Sequence, residues 1–329
     1  MKFLFIYIIL FISFLNSDEY KIGHGLKINE YLHVGGYFSM DYSSSDEKKQ
    51  FRLDDVAFLA YGEITPRISY LVELEAAPFY TKNYTDHTST RDRKFKYERA
   101  YVNYMHSEMI NIRLGKLITP IGYWNLEPIN ILRDTSSNPE YSNKIFPKLL
   151  TGIDISGFID EDATFKYHLF LQNNKDLDAD YINIENEDFL GLSLEYDATS
   201  EFSIGGSLSK YITVSNNKHV LVSQVNAKYD MYPYIFQAEV AHSDIDNKAL
   251  NINSDNMAGY MQGIYHISDQ HAIVGRYEFF DNDELNIFNK IGVIGYSYRP
   301  LYSVSFKAEY QLNSDSRKSK AIASFSVLF

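Results

Sequence analysis

Cysteine is absent from all 329 residues. This excludes a thiolate metal site, a cysteine nucleophile, any disulfide and a lipid anchor on an N-terminal cysteine. A basic excess is absent as well. The 31 Lys and Arg stand against 43 Asp and Glu, for a formal net charge of -12. Nucleic acid needs a basic face to meet its phosphates, so it is excluded as a partner. Past residue 15 no apolar run is long enough to cross a membrane as a helix. Helical periodicity is missing over any distance. The 9 histidines are scattered and show no H-x-x-x-H ligand spacing. His266 and His271 flank one tight turn and are placed to meet there. No glycine-rich phosphate loop occurs, and no serine–histidine arrangement marks a nucleophile. Acidic runs at 176–180 and 244–247 echo calcium loops but lack the full spacing and the closing glutamate. No cofactor, metal or enzymatic activity is implied.

What is present begins at the N-terminus. MKFLFIYIILFISFLNSDEY has a single positive residue, Lys2, then an apolar run from Phe3 to Leu15 broken by Ser13. The run is short for a membrane span and has the form of a secretory signal peptide over 1–17, with cleavage expected after Ser17. The exported chain, 18–329, reads as one domain. A helix-free exported chain can still cross a membrane as a closed barrel, which satisfies every backbone group between strands.

From Tyr31 onward the sequence resolves into sixteen alternating segments separated by polar turns. They are 31–42, 51–63, 67–79, 95–106, 109–117, 150–159, 164–172, 188–197, 200–211, 219–230, 233–243, 256–268, 270–281, 289–298, 302–313 and 318–329. Each has about the 9–11 residues that cross a bilayer as a tilted strand. In YSVSFKAEYQL, Tyr302, Val304, Phe306, Ala308, Tyr310 and Leu312 share one face, and Ser303, Ser305, Lys307, Glu309 and Gln311 share the other. An apolar face on sixteen strands needs a second layer or a lipid solvent, and no helix supplies the layer. The connections alternate between long gaps and stubs, as in barrels with external loops at one end and tight turns at the other. Aromatic residues make up 16% of the chain, 28 of them tyrosines, which suit strands and membrane interfaces. The chain ends in AIASFSVLF, with Phe325, Val327 and Phe329 on the apolar face, a pattern that fits a membrane-assembly signal. The expected fold is all-β, a sixteen-stranded transmembrane antiparallel barrel.

The longest gap, 118–149, follows the fifth strand. Pro120 and Gly122 break that strand in KLITPIGYWN, just before the only tryptophan. Loops of this length are usually functional. This one carries Glu127, Arg133, Asp134, Glu140, Lys144 and Lys148, both signs that a charged constriction requires.

RLGKLITPIGYWN resembles a segment of the phosphate-selective porin O and P family, through Gly115, Lys116, Pro120 and Gly122. FPKLLTGIDISG is similar to the family's return into the next strand, through Phe146, Pro147, Thr151 and Gly152, and FRLDDVAFLAYGEI to its second strand, through Arg52, Leu53 and Gly62. The resemblance implies a trimeric, passive outer-membrane pore whose third external loop folds in and narrows the channel. It does not carry phosphate with it, because Asp54 and Asp55 stand where that family has positive charge. Strict alternation cannot turn both inward, so a bulge or a position above the bilayer is required.

Assigning the polar face to the lumen gives a balanced set that includes Glu73, Glu75, Arg99 and Arg113. Two readings stay open. Arg99 and Arg113 form a basic ladder facing the acids of the loop, or they pair with Glu73 and Glu75 and stiffen the wall. The functional expectation is a porin for small hydrophilic solutes and ions, in contact with outer-membrane lipids, lipopolysaccharide and the barrel-assembly machinery. The rivals are an oxyanion-specific channel of the same fold, a non-conducting adhesin or enzyme barrel, and a soluble secreted all-β binding protein.

Overall fold

The computed structural model describes residues 20, 21, 23–92, 94–177, 183–247 and 252–329. The expected signal peptide, 1–17, lies outside them. One closed sheet holds twenty strands. Two short ones lead in, β1 (Tyr20–Lys21) and β2 (Gly25–Asn29). The wall then begins with β3 (Leu32–Ser45), β4 (Lys49–Thr65) and β5 (Ile68–Ala76). A loop hairpin, β6 (Tyr80–Asn83) and β7 (Ser89–Arg91), precedes β8 (Lys96–Ser107), β9 (Ile110–Ile118), β10 (Leu149–Phe158) and β11 (Phe165–Leu171). The rest are β12 (Asn186–Asp197), β13 (Phe202–Thr213), β14 (His219–Met231), β15 (Tyr234–Asn247), β16 (Ile252–Ser268), β17 (His271–Asn282), β18 (Ile287–Leu301), β19 (Val304–Asn313) and β20 (Lys320–Leu328).

Without β1, β2, β6 and β7, sixteen strands make the wall, one for each alternating segment of the sequence. All pair antiparallel with their neighbours, and β20 pairs with β3 to close the ring, Phe325 opposite Met40 and Val327 opposite Phe38. Phe329 completes the seam by exchanging two 2.8 Å backbone hydrogen bonds with Gly36.

Alternation sets the faces. On β19, Ser305, Lys307, Glu309 and Gln311 are buried inside, as is Ser303 just before it, whereas Phe306, Tyr310 and Leu312 face out. The tyrosines collect on the outer surface near the tight turns. Tyr234 stacks on Tyr265 at 5.2 Å, Phe306 packs on Phe325 at 4.9 Å, and Phe325 meets Phe38 at 5.9 Å. His266 and His271 join this belt instead of meeting each other. His266 stacks on Tyr232 and His271 on Tyr298. Such a girdle is what a lipid–water boundary favours.

One expectation is corrected. The external connections are less uniformly long than the spacing implied, because several hairpins keep pairing beyond the apolar belt. Asp244 and Asp246, in one of the acidic runs, belong to β15 and pair in register with β14. In the second external connection, β6 pairs with β4 from Gln50 to Leu53 and extends the wall upward.

Leu114 is 63% exposed on the outer face of β9. Arginine there meets hydrocarbon, so Leu114→Arg should lower the unfolding free energy of vesicle-refolded protein by about 2–4 kcal/mol. Urea titration followed by electrophoretic heat-modifiability measures this. An unchanged midpoint would contradict the face assignment.

Candidate functional site

The site is built by the segment between β9 and β10, which runs inside the barrel. Its neck is fixed by the residues that stood out in the sequence. Gly115 and Gly152 sit opposite each other in the β9–β10 ladder. Gly115 has φ +136°, and a Cβ there would lie 2.1 Å from the Ala100 carbonyl oxygen. Lys116 and Asp176 form a 3.2 Å ion pair with both side chains fully buried, and the Thr151 hydroxyl donates to the same carboxylate. Thr119 N–H donates to Lys148 O at 2.8 Å. Asn125 then bridges both sides of the neck through Nδ2, to Thr119 O at 2.7 Å and Lys148 O at 3.1 Å. The acidic run at 176–180 thus has its first residue engaged by Lys116, and 178–180 lie outside the described residues.

Inside, the loop makes two short helices, Tyr123–Leu126 and Glu140–Lys144, and neither has a capping side chain of its own. A helix start leaves N–H groups without partners, and burying them unpaired is costly. The wall supplies the partners. Glu239 Oε1 on β15 accepts from Trp124 N–H at 2.7 Å. Glu278 Oε2 on β17 accepts from Glu140 N–H at 2.8 Å. Glu309 Oε2 on β19 accepts from Ser136 N–H at 2.9 Å. Each carboxylate meets the positive end of local peptide dipoles. Wall bases treat the loop's carbonyls in the same way. Arg299 donates to Leu132 O at 3.0 Å and Arg133 O at 2.7 Å, and Lys307 donates to Asn130 Oδ1 at 2.7 Å. Gly122 is required at the turn. Its φ is +68°, and a Cβ would stand 1.8 Å from Glu239 Oε2.

Trp124 is the anchor. Arg133 of the loop and Arg276 of the wall each place a guanidinium carbon 5.1 Å from its ring, and Tyr260 meets it edge-on at 5.7 Å. Arg276 also donates to Thr135 Oγ1 and Ser137 Oγ, both at 2.7 Å. The loop's apolar residues, among them Ile121, Tyr141, Ile145 and Phe146, pack with Phe170, Phe189, Val222 and Phe280 of the wall. One side of the lumen is therefore filled.

The other side holds a cavity of about 390 Å³ between the loop and the inner face of β3, β4, β5 and β8, bordered also by Glu278, Ile291, Gln311, Lys320 and Ile322 of β17 to β20. Its wall is acidic, with Asp41, Asp54, Asp55, Glu75 and Glu98. A bulge turns both Asp54 and Asp55 inward. Phe38 pairs with Val56 and Met40 with Leu53, which leaves Ser39 opposite two residues. The Ser39 hydroxyl donates to Asp55 at 2.7 Å. A second bulge, where Glu73 pairs with Arg99 but Leu74 with Tyr97, brings Glu98 inside. Strict alternation had hidden Glu98 on the outer face. Tyr37 donates to Glu98 at 3.2 Å. Arg52 pairs with Asp41 at 2.9 Å and Asp54 at 3.4 Å. From the loop come Arg133, Glu140, Lys144 and Lys148, and β20 adds Lys320.

The basic ladder does not form. Arg99 is paired with Glu73, which is the wall-stiffening alternative. Arg113 donates to Asn103 at 3.2 Å and lines a second cavity, about 410 Å³, near the tight turns. Asp134 is held by Arg299 at 3.1 Å and does not face the passage wall. Lys144 pairs with Glu140 at 3.0 Å and lies over Phe280. Burial pushes the Glu127 carboxyl upward, and its backbone oxygen accepts from Arg133. The Lys148 ammonium has no hydrogen-bond or ion-pair partner within the described residues. Burial pushes it down to about 8, aided by Arg133, while Glu98, Asp55 and Glu75 pull it upward. Phe325 and Val327 lie on the outer seam, away from the passage.

No protein-family model matches the chain, and no curated sequence does. Solved structures do. An anion-selective porin from Comamonas acidovorans superposes with a TM-score of 0.66 at 9% identity, covering 91% of this chain and 99% of that one. Salmonella typhi OmpF gives 0.63 at 13% identity, covering 91% and 97%. The outer-membrane channel DcaP of Acinetobacter baumannii gives 0.60 at 11% identity, covering 93% and 99%. The chain has a porin-like fold. At these identities the likeness is one of architecture.

The single tryptophan makes the loop's seating measurable. Glu239→Ala removes a charged hydrogen bond of about 1.5–3 kcal/mol. Trp124 amide exchange should speed up about ten- to hundredfold, and its emission should move to longer wavelength. Glu195→Ala, on the lumen face of β12, should change neither.

Proposed function

We propose that the protein is an outer-membrane porin through which small hydrophilic solutes and ions diffuse. The observation that carries this reading is the half-filled lumen. The inward loop packs against β11–β19 and leaves a polar, charged cavity whose acidic wall is β3–β8, whereas a structural plug would fill the barrel. The outer surface meets lipid and lipopolysaccharide, the terminal Phe325, Val327 and Phe329 serve the assembly machinery, and the chain is exported through cleavage of 1–17. We take the working form to be a homotrimer.

The oxyanion-specific alternative is not favoured. Seven carboxylates and five bases line the cavity, Asp54 and Asp55 among them. A field of this sign raises the local concentration of cations. Planar-bilayer recording tests the reading directly. Stepwise conductance should appear, with a reversal potential in a KCl gradient on the cation side. Silence from correctly inserted protein would refute it.

Selectivity should depend on pH. Lys148 carries its charge below about 8 and loses it as pH rises through that value. The passage then becomes more negative. The reversal potential should move further toward potassium between about pH 7 and about pH 9, and Lys148→Met should reduce that movement.

A further inference from the structure

The outer face of the barrel is charged unevenly at its external margin. Tyr42 of β3 is 42% exposed on that face, between Asp41 and Ser43, which are buried inside. Residues opposed in register share a face. Tyr42 opposes Phe51, and Ser44 opposes Lys49. Phe51 in turn opposes Lys82, Leu53 opposes Tyr80, and Tyr80 opposes Arg91. Lys49, Lys82 and Arg91 therefore stand together on the outside of β4, β6 and β7, among aromatic rings. Tyr42 meets Tyr84 there at 6.2 Å.

Among the described residues, none of these three bases has an ion-pair partner. Lys82 Nζ donates to His87 O at 3.2 Å, and Arg91 lies 5.5 Å from the centre of the Tyr80 ring. The acids of the adjoining turns are engaged elsewhere. Asp86 accepts from Asn83 and Thr88, Asp92 accepts from Lys94 N–H, and Glu47 pairs with Arg317 at 3.8 Å. Asp46 shares its turn with Lys48. The external ends of β15 and β16 carry Asp244, Asp246 and Asp255 instead. Ser44, the register partner of Lys49, borders an apolar groove of about 570 Å³ on the outer face. The groove crosses β20 and β19 over Ala321, Ala323 and Ala308, between Tyr42 and Tyr310.

We propose, on the basis of the outer-membrane reading above, that this sector seats one phosphorylated lipid of the outer leaflet. Its phosphate lies on Lys49, Lys82 and Arg91, and one acyl chain lies in the groove. Ammonium and guanidinium groups hold phosphate through charge-assisted hydrogen bonds. The groove takes a hydrocarbon chain without exposing a polar side chain to it. The bases decide the occupant, because a purely apolar partner would leave three positive charges unmatched at the membrane margin.

Native mass spectrometry of the full chain, released from detergent micelles, tests this with diphosphoryl lipid A as the probe and phosphatidylcholine as the reference. One lipid A should stay on each chain, bound about tenfold more tightly than phosphatidylcholine or better. Lys82→Ala combined with Arg91→Ala should weaken lipid A binding about tenfold or more. Ala321→Phe, which fills the groove, should weaken it too. Lys210→Met, on β13 across the barrel, should not. Equal affinity for the two lipids would overturn the inference, as would binding unmoved by the double variant. Displacement of lipid A by millimolar inorganic phosphate would assign the bases to free phosphate and overturn it. A lipid-free complex between chains that Ala321→Phe abolishes would give the groove to a second copy and overturn it as well. Any of these in protein that conducts KCl leaves the pore reading standing. Protein that neither inserts nor conducts would overturn that reading itself.

Discussion

The structure depends on how a loop without a sheet to join satisfies its backbone inside a barrel. Residues 119–148 carry peptide groups that no strand completes, and water is largely excluded on the side where they pack. Three wall carboxylates, Glu239, Glu278 and Glu309, take the loop's free N–H groups. Arg299 and Lys307 take its free carbonyls. Charged groups on a barrel wall are commonly read as facing solute. Here these five face protein, and they serve as the caps that the loop's own sequence lacks. The remaining charges, left free of this duty, shape the passage.

This division explains why charge balance along the sequence says little about the cavity. Arg276 and Arg113 both stand on lumen faces. One clamps Trp124 and two loop hydroxyls, and the other lines the cavity near the tight turns. Side-chain type and strand parity do not separate them. Only the path of the loop does.

The sixteen wall strands were legible because a membrane barrel imposes one rule, period two with an apolar outer face, on every strand. Pro120 and Gly122 were legible as a break and Gly115 and Lys116 through the resemblance, and the structure gives Gly115, Lys116 and Gly122 physical roles at the neck. Three things were not legible. The bulge beside Ser39 was required by Asp54 and Asp55, but its position could not be fixed from their adjacency alone. The bulge at Glu98 left no trace, since KYERAY alternates acceptably in either parity. The partner of Lys116 was hidden because Asp176 lies 60 residues away in an acidic run that resembles a calcium loop. Alternation is local information, whereas bulges and long-range ion pairs are decided by the neighbouring strand.

The arrangement along the chain carries a further meaning. The acidic side of the cavity comes from β3 to β8, before the loop, and the charged groups that cap the loop's backbone come from β15 to β19, after it. The loop's apolar side can pack as soon as β11 to β14 are in place, yet its backbone is not fully capped until the last hairpins arrive. Completion of the loop's hydrogen bonding and closure of the seam between β20 and β3 therefore belong to the same late stage of assembly.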